Sequence, residues 1–383
     1  MYYASICAII KDEDKDVREW LNYHFMIGFE HCLIFDNNSR RPLKETLSDF
    51  VSNGLVTVED FPLTHAQQLS AYMSALKYWG NNTRWLAFID VDEFILPMQN
   101  DDIRDFLDDY TQYGGVGANW AMFSSNGHVK RPAGGILENY TACLGLNSHI
   151  KSIVQPAKTQ IAKSAHHFLY TSSNFCANED GIPIPGFSTY PLANKIRINH
   201  YYYKSRNDFM EKIDRGLVTQ MKSGRERTIK DFDAHLDKPT YEDRSILRFK
   251  FSEPGLSHIS SNEILGSINN STNFDLEKEI MLFEKSLDIN DIDNALHRAK
   301  KIARYYNDFN IDQFSLQTKS NQFDNSKAME IIKNTLSQRD LSNKDILSAY
   351  QALASYYEIN GEKSKSISIL NWLEDPMSTY FGS

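Results

Sequence analysis

Surplus basic charge is missing from this chain: 41 lysines and arginines stand against 50 aspartates and glutamates, a formal net charge of -9 at pH 7. Without a cationic face to neutralise phosphates, a nucleic-acid partner is not expected, although a local basic patch can still form. Also missing is any apolar window approaching the ~18–20 residues that a membrane span needs. Cysteine is scarce, and Cys7, Cys32, Cys143 and Cys176 form no Cys-x-x-Cys pair. Cys7 and Cys32 sit inside apolar strand-like runs and are expected as buried free thiols. From Met1 to Ile10 there is neither a basic leader nor a small-residue cleavage site before Lys11-Asp12-Glu13-Asp14-Lys15-Asp16, so this stretch reads as a strand rather than a signal peptide. The expected location is the cytoplasm, at most peripheral on the inner face of a membrane. The sequons at Asn82, Asn139 and Asn270 then carry no meaning.

What is present is an ordinary globular balance, 41% hydrophobic and 24% charged, with aromatics on the high side at 12%. A length of 383 residues suggests two domains. Tyr2 to Ile10 reads as a strand, and Val17, Trp20, Leu21, His24 and Phe25 share one helical face that Gly28 stops. His31 to Phe35 is a second strand, a helix runs through Leu43, Leu47 and Phe50 to Asn53-Gly54, and Leu55 to Val58 is a third strand. Thr64 to Tyr78 reads as a longer helix leading to the apolar run Trp85-Leu86-Ala87-Phe88-Ile89. This alternation predicts an α/β fold with a mostly parallel sheet and helices on both faces. It sets Lys11, Asp36 and Asp90 at the carboxyl ends of three strands, the edge where α/β proteins collect ligands. From about residue 101 to 265 the pattern is irregular, with strand-like pieces around Gly117 to Phe123 and Lys195 to Tyr203. The polar stretch from Gly266 to Asn273 looks like a linker. Hence a first domain is expected over 1–265 and an all-α C-terminal region over 266–383, with one tetratricopeptide-like helix pair at 346–373 acting as a cap, since such arrays need about three repeats to stand alone.

The chemistry centres on Asp90-Val91-Asp92-Glu93-Phe94. Two carboxylates at a strand's carboxyl end can hold a hard cation that grips substrate phosphates, or they can be solvated acids at a strand end. Being two apart they would face one side of a strand; direct ligation is assigned to Asp92, and to Asp90 a ribose or water-mediated role. His200, after Arg197-Ile198-Asn199 and before three tyrosines, is the third ligand candidate or else a core histidine. Nitrogen ligation favours Mn²⁺ over Mg²⁺. Asp36 and Lys11 either meet the nucleotide or form an Asx-type turn and a solvated strand end, and Gln68 either touches base or sugar or sits on a helix face. Lys204, Lys212 and Arg215 either neutralise a departing diphosphate or are solvated helix charges.

Several separated segments together resemble glycosyltransferase family 92 and its bacterial family-2-like relatives. They are Ile9-Ile10-Lys11-Asp12-Glu13, Glu19-Trp20, Gly28-Phe29 and Ile34-Phe35-Asp36-Asn37-Asn38-Ser39, then Gln68 with Ala71 and Tyr72, and Asp90-Val91-Asp92-Glu93-Phe94. Trp120 with Phe123-Ser124-Ser125-Asn126-Gly127-His128 follows, and finally Asn199-His200-Tyr201-Tyr202 with Lys204-Ser205, Lys212 and Arg215-Gly216. The resemblance covers roughly residues 5 to 217 and departs from the family at Asp12, usually Asn, and Ser124, usually Gly. It implies a GT-A fold, a metal-dependent UDP-sugar donor, galactose being the suggested sugar, and inversion at the anomeric carbon. A saccharide or lipid-linked acceptor in surface polysaccharide synthesis is the expectation from the bacterial relatives.

An inverting transfer needs a carboxylate to take the acceptor proton; Glu138, Glu179 and Asp180 are the candidates, while His166-His167 either line the acceptor site or are structural. Three rivals are weaker. A haloacid-dehalogenase-type phosphatase would carry a small residue where Phe94 stands and would place its motif strand first. A non-catalytic sugar-nucleotide-binding or scaffold protein has no need of both Asp90 and Asp92. A nucleotidyltransferase would have a Gly-rich loop after the first strand.

Overall fold

The computed structural model describes residues 1–63, 67–216, 227–249 and 260–264. The expected linker, the helical C-terminal region and the helix pair at 346–373 lie outside these residues, as do Thr64 to Ala66 at the start of the expected third helix. Contacts within the chain group Met1–Asn270 into one compact unit.

The first half alternates as its periodicity predicts: Tyr2–Ile10 (β1), Val17–Met26 (α1), His31–Asp36 (β2), Leu43–Thr46 (α2), Ser48–Ser52 (α3), Val56–Asp60 (β3), Gln67–Ser74 (α4) and Thr83–Phe88 (β4). Gly28 takes the left-handed backbone at φ 102° that ends α1. The helix expected through Leu43 to Phe50 is split in two at Leu47, and α4 passes into a π-helical turn over Ala75–Trp79. Then follow Glu93–Pro97 (β5), Ile103–Asp108 (α5), Gly115–Phe123 (β6), Ile136–Asn139 (α6), Ala142–Val154 (β7), Thr159–Ala162 (β8) and Phe168–Tyr170 (β9). Cys176–Ala177 (β10), Ile196–His200 (β11), Arg206–Asp214 (α7), Ile229–Leu236 (α8) and Tyr241–Glu242 (β12) complete the described elements used below.

The main sheet runs β3-β2-β1-β4-β7-β6-β11-β5. Its first four strands are all parallel and ordered 3-2-1-4, the order in which a Rossmann-like sheet begins. Beyond β4 the expectation of a mostly parallel sheet gives way to a mixed one, because β7 joins β4 and β6 antiparallel and β5 joins β11 antiparallel. The physical cause is that β6 and β7 are joined by residues 124–141, with only the four-residue α6 in them, too little helix to carry the chain back across the sheet for a parallel return.

Side chains alternate between two cores. Ala4, Ile6, Ala8 and Ile10 of β1 pack with Val17 and Trp20 of α1 and with Leu43 and Phe50 on one face. Cys7 and Ile9 pack with Ala71, Tyr72 and Ala75 on the other. Helices thus cover both faces of the parallel half, and β1, buried on both sides, reads as a continuous apolar run. All four cysteines are buried free thiols. Among the described residues no helix is long and apolar enough to cross a membrane.

Candidate active site

Strand β4 ends at Phe88, and the chain turns through Asp90 and Asp92 before β5 leaves in a new direction. The turn is pinned from within. The Asp90 amide donates to Glu93 Oε2 (2.9 Å) and the Glu93 amide to Asp90 O (3.0 Å). From outside, Trp20 Nε1 donates to Glu93 O (2.8 Å) and the Tyr201 amide to Asp92 O (2.8 Å). This rigidity fixes two carboxylates with different surroundings.

Asp92 is buried between an ammonium and an imidazole. Lys212 of α7 donates to its Oδ2, and His200 Nε2 at the end of β11 stands 3.5 Å from its Oδ1. Burial alone would push the Asp92 carboxyl up, but Lys212 and then His200 hold it well below the ordinary carboxylate range. Burial lowers His200, with Asp92 opposing, and lowers Lys212 against the same carboxylate. Asp90, half-buried, turns the other way: Gln68 Nε2 donates to its Oδ1 (2.9 Å) and Lys151 Nζ to its Oδ2 (2.9 Å). Gln68, which also donates to Tyr72 Oη (3.1 Å), therefore acts in this structure as an orienter of Asp90. Glu93 sits behind both, fully buried, 3.3 Å from Lys151 Nζ and 4.0 Å from His200 Nδ1. Burial pushes its carboxyl up to about 8 despite Lys151. Glu93 Oε1 and His200 Nδ1 have no hydrogen-bond partner.

Beside this pair lies a buried ion network. Asp16 receives Lys204 and Arg131, which hold its carboxyl at about 2 although burial pushes upward. Arg131 also reaches Asp208 Oδ1 (3.3 Å), and Lys204 Nζ lies 3.9 Å from Glu13. Arg215 donates to Asp12 O (2.7 Å) and pairs with Glu13 Oε1 (3.1 Å). Lys204 and Arg215, expected as solvated charges or diphosphate ligands, are thus tied to the loop after β1. Asp12 and Lys204 both take left-handed backbone, φ 53° and 48°. Asp tolerates this conformation about as Asn does, so the departure at position 12 leaves the turn intact.

The nucleotide-edge candidates fall where the strands predict. Asp36 ends β2 and accepts the amides of Ser39 and Leu43 (both 2.9 Å), the Asx-type alternative, and Lys11 follows β1 with its carbonyl facing Arg215 (3.4 Å). The three proton-acceptor candidates stand on other elements. Glu138 is exposed on α6. Glu179 is buried, with both oxygens taken by the amides of Asn194 (2.9 Å), Lys195 (3.0 Å) and Ile196 (3.2 Å), which makes it an anchor for the loop before β11. Asp180 is exposed, 3.8 Å from Lys195 Nζ. Both follow β10, which pairs with the start of β6, whereas His200 pairs with Met122 near its end.

Lys151 is the residue that sequence reasoning missed. Its signal was a lysine inside the apolar strand run Ile150 to Val154, a position a charge occupies only when paired. Among the described residues no group of three or more histidine, cysteine or carboxylate side chains is already gathered as a metal cage; the nearest approach is Asp92 with His200.

A parallel 3-2-1-4 series of strands with acidic side chains at its carboxyl rim defines an α/β fold of the Rossmann-like, GT-A kind. The family model described as Glycosyltransferase family 92 matches residues 2–240, and the chain belongs to that family. A family 92 protein of Oryza sativa subsp. japonica is 27% identical over 221 residues, 56% of this chain and 35% of that protein. One of Ricinus communis is 28% identical over 222 residues, 56% and 38%. The chain therefore spans a little over a third of the length of these relatives. Solved structures it resembles include S. aureus TarS 1-349, at TM-score 0.30 and 13% identity over 96% of this chain and 90% of that one. The same TarS fragment in complex with UDP-GlcNAc matches at TM-score 0.29 and 14% identity, with the same coverage.

Proposed function

We propose that this chain is a metal-dependent, inverting glycosyltransferase that moves a sugar from a UDP-sugar to a saccharide or lipid-linked acceptor in surface polysaccharide synthesis. The observation that carries the reading is Asp92: a carboxylate buried at the rim of a nucleotide-type sheet and kept ionised beside an imidazole. Asp16 is also buried and ionised, but within a purely ionic network; what marks Asp92 is the neutral imidazole beside it at the strand rim, where α/β proteins collect ligands.

A divalent ion fits the donor chemistry. Asp92 Oδ1 and His200 Nε2 are 3.5 Å apart and on the same side of the turn. A carboxylate oxygen with an imidazole nitrogen suits Mn²⁺, and Asp90, at the same turn, would join through water or bind the ribose. When bound there, manganese supplies Lewis acidity and charge to the diphosphate leaving group. Lys212, whose ammonium rests on Asp92 Oδ2, is placed to pass to phosphate oxygens as charge develops on them. Lys151 and Gln68 hold Asp90 in one orientation, and Asp36 and Lys11 lie at the adjoining strand ends for the nucleoside. The acceptor proton needs a carboxylate near the bond being transferred; Asp180 follows β10 at the opposite end of β6 from His200 and Glu179 is taken up by backbone amides, which leaves Glu138 of the three, and Glu138→Gln should remove kcat.

The test is a thermal-shift series with UDP, GDP and ADP, each with and without Mn²⁺. UDP with Mn²⁺ should raise Tm by several degrees, and the rise should shrink when either is left out. Asp92→Asn, which keeps the side-chain shape and removes the charge, should abolish metal-dependent donor turnover, and His200→Ala should weaken Mn²⁺ binding more than it moves Tm. Equal responses to all three nucleotides, or an unchanged turnover in Asp92→Asn, would remove the reading.

A further inference from the structure

Five rings meet on the β6–β7 side of the Asp92–His200 pair, and the transfer chemistry uses only one of them. Trp120 of β6 lies 4.4 Å from the His200 ring and is stacked on His149 of β7 at 4.8 Å and 11°. His166 stands edge-on to Trp120 at 5.2 Å. Phe187 closes the wall at 4.7 Å from His149, and a backbone bridge between His149 and Phe187 pins it to β7. Trp120, His149 and His166 are half-buried, while Phe187 is 52% exposed. The wall is therefore built into the sheet at one end and open to solvent at the other.

Its polar atoms are neutral and unfinished. Trp120 Nε1 is buried with no partner, as is His200 Nδ1, although a buried indole N–H ordinarily finds one. His149 Nδ1 meets Asn147 Oδ1 (2.7 Å) and His166 Nδ1 meets Ile150 O (2.8 Å). With carbonyl oxygens as partners, each Nδ1 carries the proton, so in the neutral ring Nε2 is an acceptor. Burial lowers His149 and takes His166 down to about 4, so near pH 7 the wall offers flat apolar faces with both a donor and acceptors and no charge of its own. An anion finds no counter-charge on such a surface. An uncharged polyol with one C–H face and a rim of hydroxyls does fit, by stacking below and hydrogen bonding at the edge.

We propose that Trp120, His149, His166 and Phe187 form a platform for a neutral pyranose ring of the acceptor saccharide. The assignment to the acceptor rests on the transferase reading above, and on the wall's open end at Phe187, which is bridged to β7, a strand that β4 separates from the β1–β2 strand ends given to the nucleoside. The platform would seat the acceptor sugar against His200, next to the bond being transferred.

Saturation-transfer NMR tests this on the full chain with methyl β-D-glucopyranoside and methyl β-D-galactopyranoside as probes, each with UDP and Mg²⁺ present. Ring C–H protons of at least one glycoside should receive saturation, and the signal should fall at least threefold in Phe187→Ala and in His149→Ala, with the UDP signal and Tm unchanged. Trp120→Phe, which keeps a smaller aromatic face and removes Nε1, should lower it to an intermediate level. The proposal is overturned if UDP is saturated while neither glycoside is, or if the glycoside signal is the same in Phe187→Ala. It is equally overturned if a UDP-hexose displaces the glycoside where UDP does not in a side-by-side titration and acceptor KM is unmoved in Phe187→Ala, for then the wall holds the donor's sugar. Glycoside saturation in a protein whose Tm is not raised by UDP with Mn²⁺ would uphold the platform and strike the donor reading instead.

Discussion

Glu19 is 3% exposed, and its oxygens accept the amides of Ile136 (2.6 Å) and Leu137 (3.2 Å) at the start of α6. A Cβ on Gly135 would overlap that carboxylate, so a side chain there would push Glu19 off the two amides. Burial pushes the Glu19 carboxyl up to about 7, the two amides only partly opposing. The folded chain then keeps a proton that the unfolded chain has released, so stability is greatest below the unfolded value near 4.5 and falls as pH rises to about 7. Glu19→Gln removes the titration and leaves one acceptor oxygen for two amides. The variant should be less stable than the parent at pH 5 by about 1–3 kcal/mol, with the gap narrowing or reversing by pH 8; urea unfolding at both pH values reads it, and a constant gap would show that Glu19 does not titrate there. At this scale the sequence spoke through pairs and positions. Asp90 and Asp92 were legible because two acids close an apolar run. Lys151 was not, because its meaning depends on β7 lying beside the turn. Asp16 was legible only as one acid in a charged stretch, its burial coming from α7 and the loop of Arg131.

Helix α7 carries Lys212 to Asp92, and its start is set by a reciprocal cap: Ser205 Oγ accepts the Asp208 amide (3.1 Å) and donates to Asp208 Oδ2 (2.6 Å). Loss of such a cap costs about 0.5–2 kcal/mol. Ser205→Ala should lower Tm by a few degrees and raise the donor KM more than it lowers kcat, while Ser205→Thr should restore both; a KM equal to the parent's in the alanine variant would separate the cap from the placing of Lys212. The cap was legible as Ser205-Arg206-Asn207-Asp208, and β1 to β4 were legible because buried parallel strands are continuous apolar runs separated by helical periodicity. Strands β5 and β7 were not. The five residues of β5 follow the acidic turn with no break in composition, and β7 mixes Gly145, Asn147, Ser148 and Lys151 among its apolar residues. Their partners β11 and β6 come from elsewhere in the chain, so no local pattern announces the pairing that turns a parallel sheet into a mixed one.

Over the whole chain, the division expected at residue 265 depends on where the main core stops. Residues 260–264 belong to that core: Ile264 is fully buried among its apolar side chains, and Asn53 Nδ2 donates to Ser261 Oγ (2.9 Å) and Asn262 Oδ1 (2.8 Å). Burying an isoleucine contributes about 1.5–3 kcal/mol, and the hydrogen bonds to Asn53 add to it. A chain ended after Phe249 should therefore unfold at a Tm several degrees lower than one ended after Asn270. Every residue proposed for the donor, from Lys11 to Arg215, lies upstream of both ends. The chain ended at Asn270 should then bind UDP with Mn²⁺ at the affinity of the full chain, measured by calorimetry. A tenfold loss of affinity in that shorter chain, with its Tm preserved, would mean that residues beyond 270 complete the donor site, and would move the boundary of the catalytic unit into the C-terminal region.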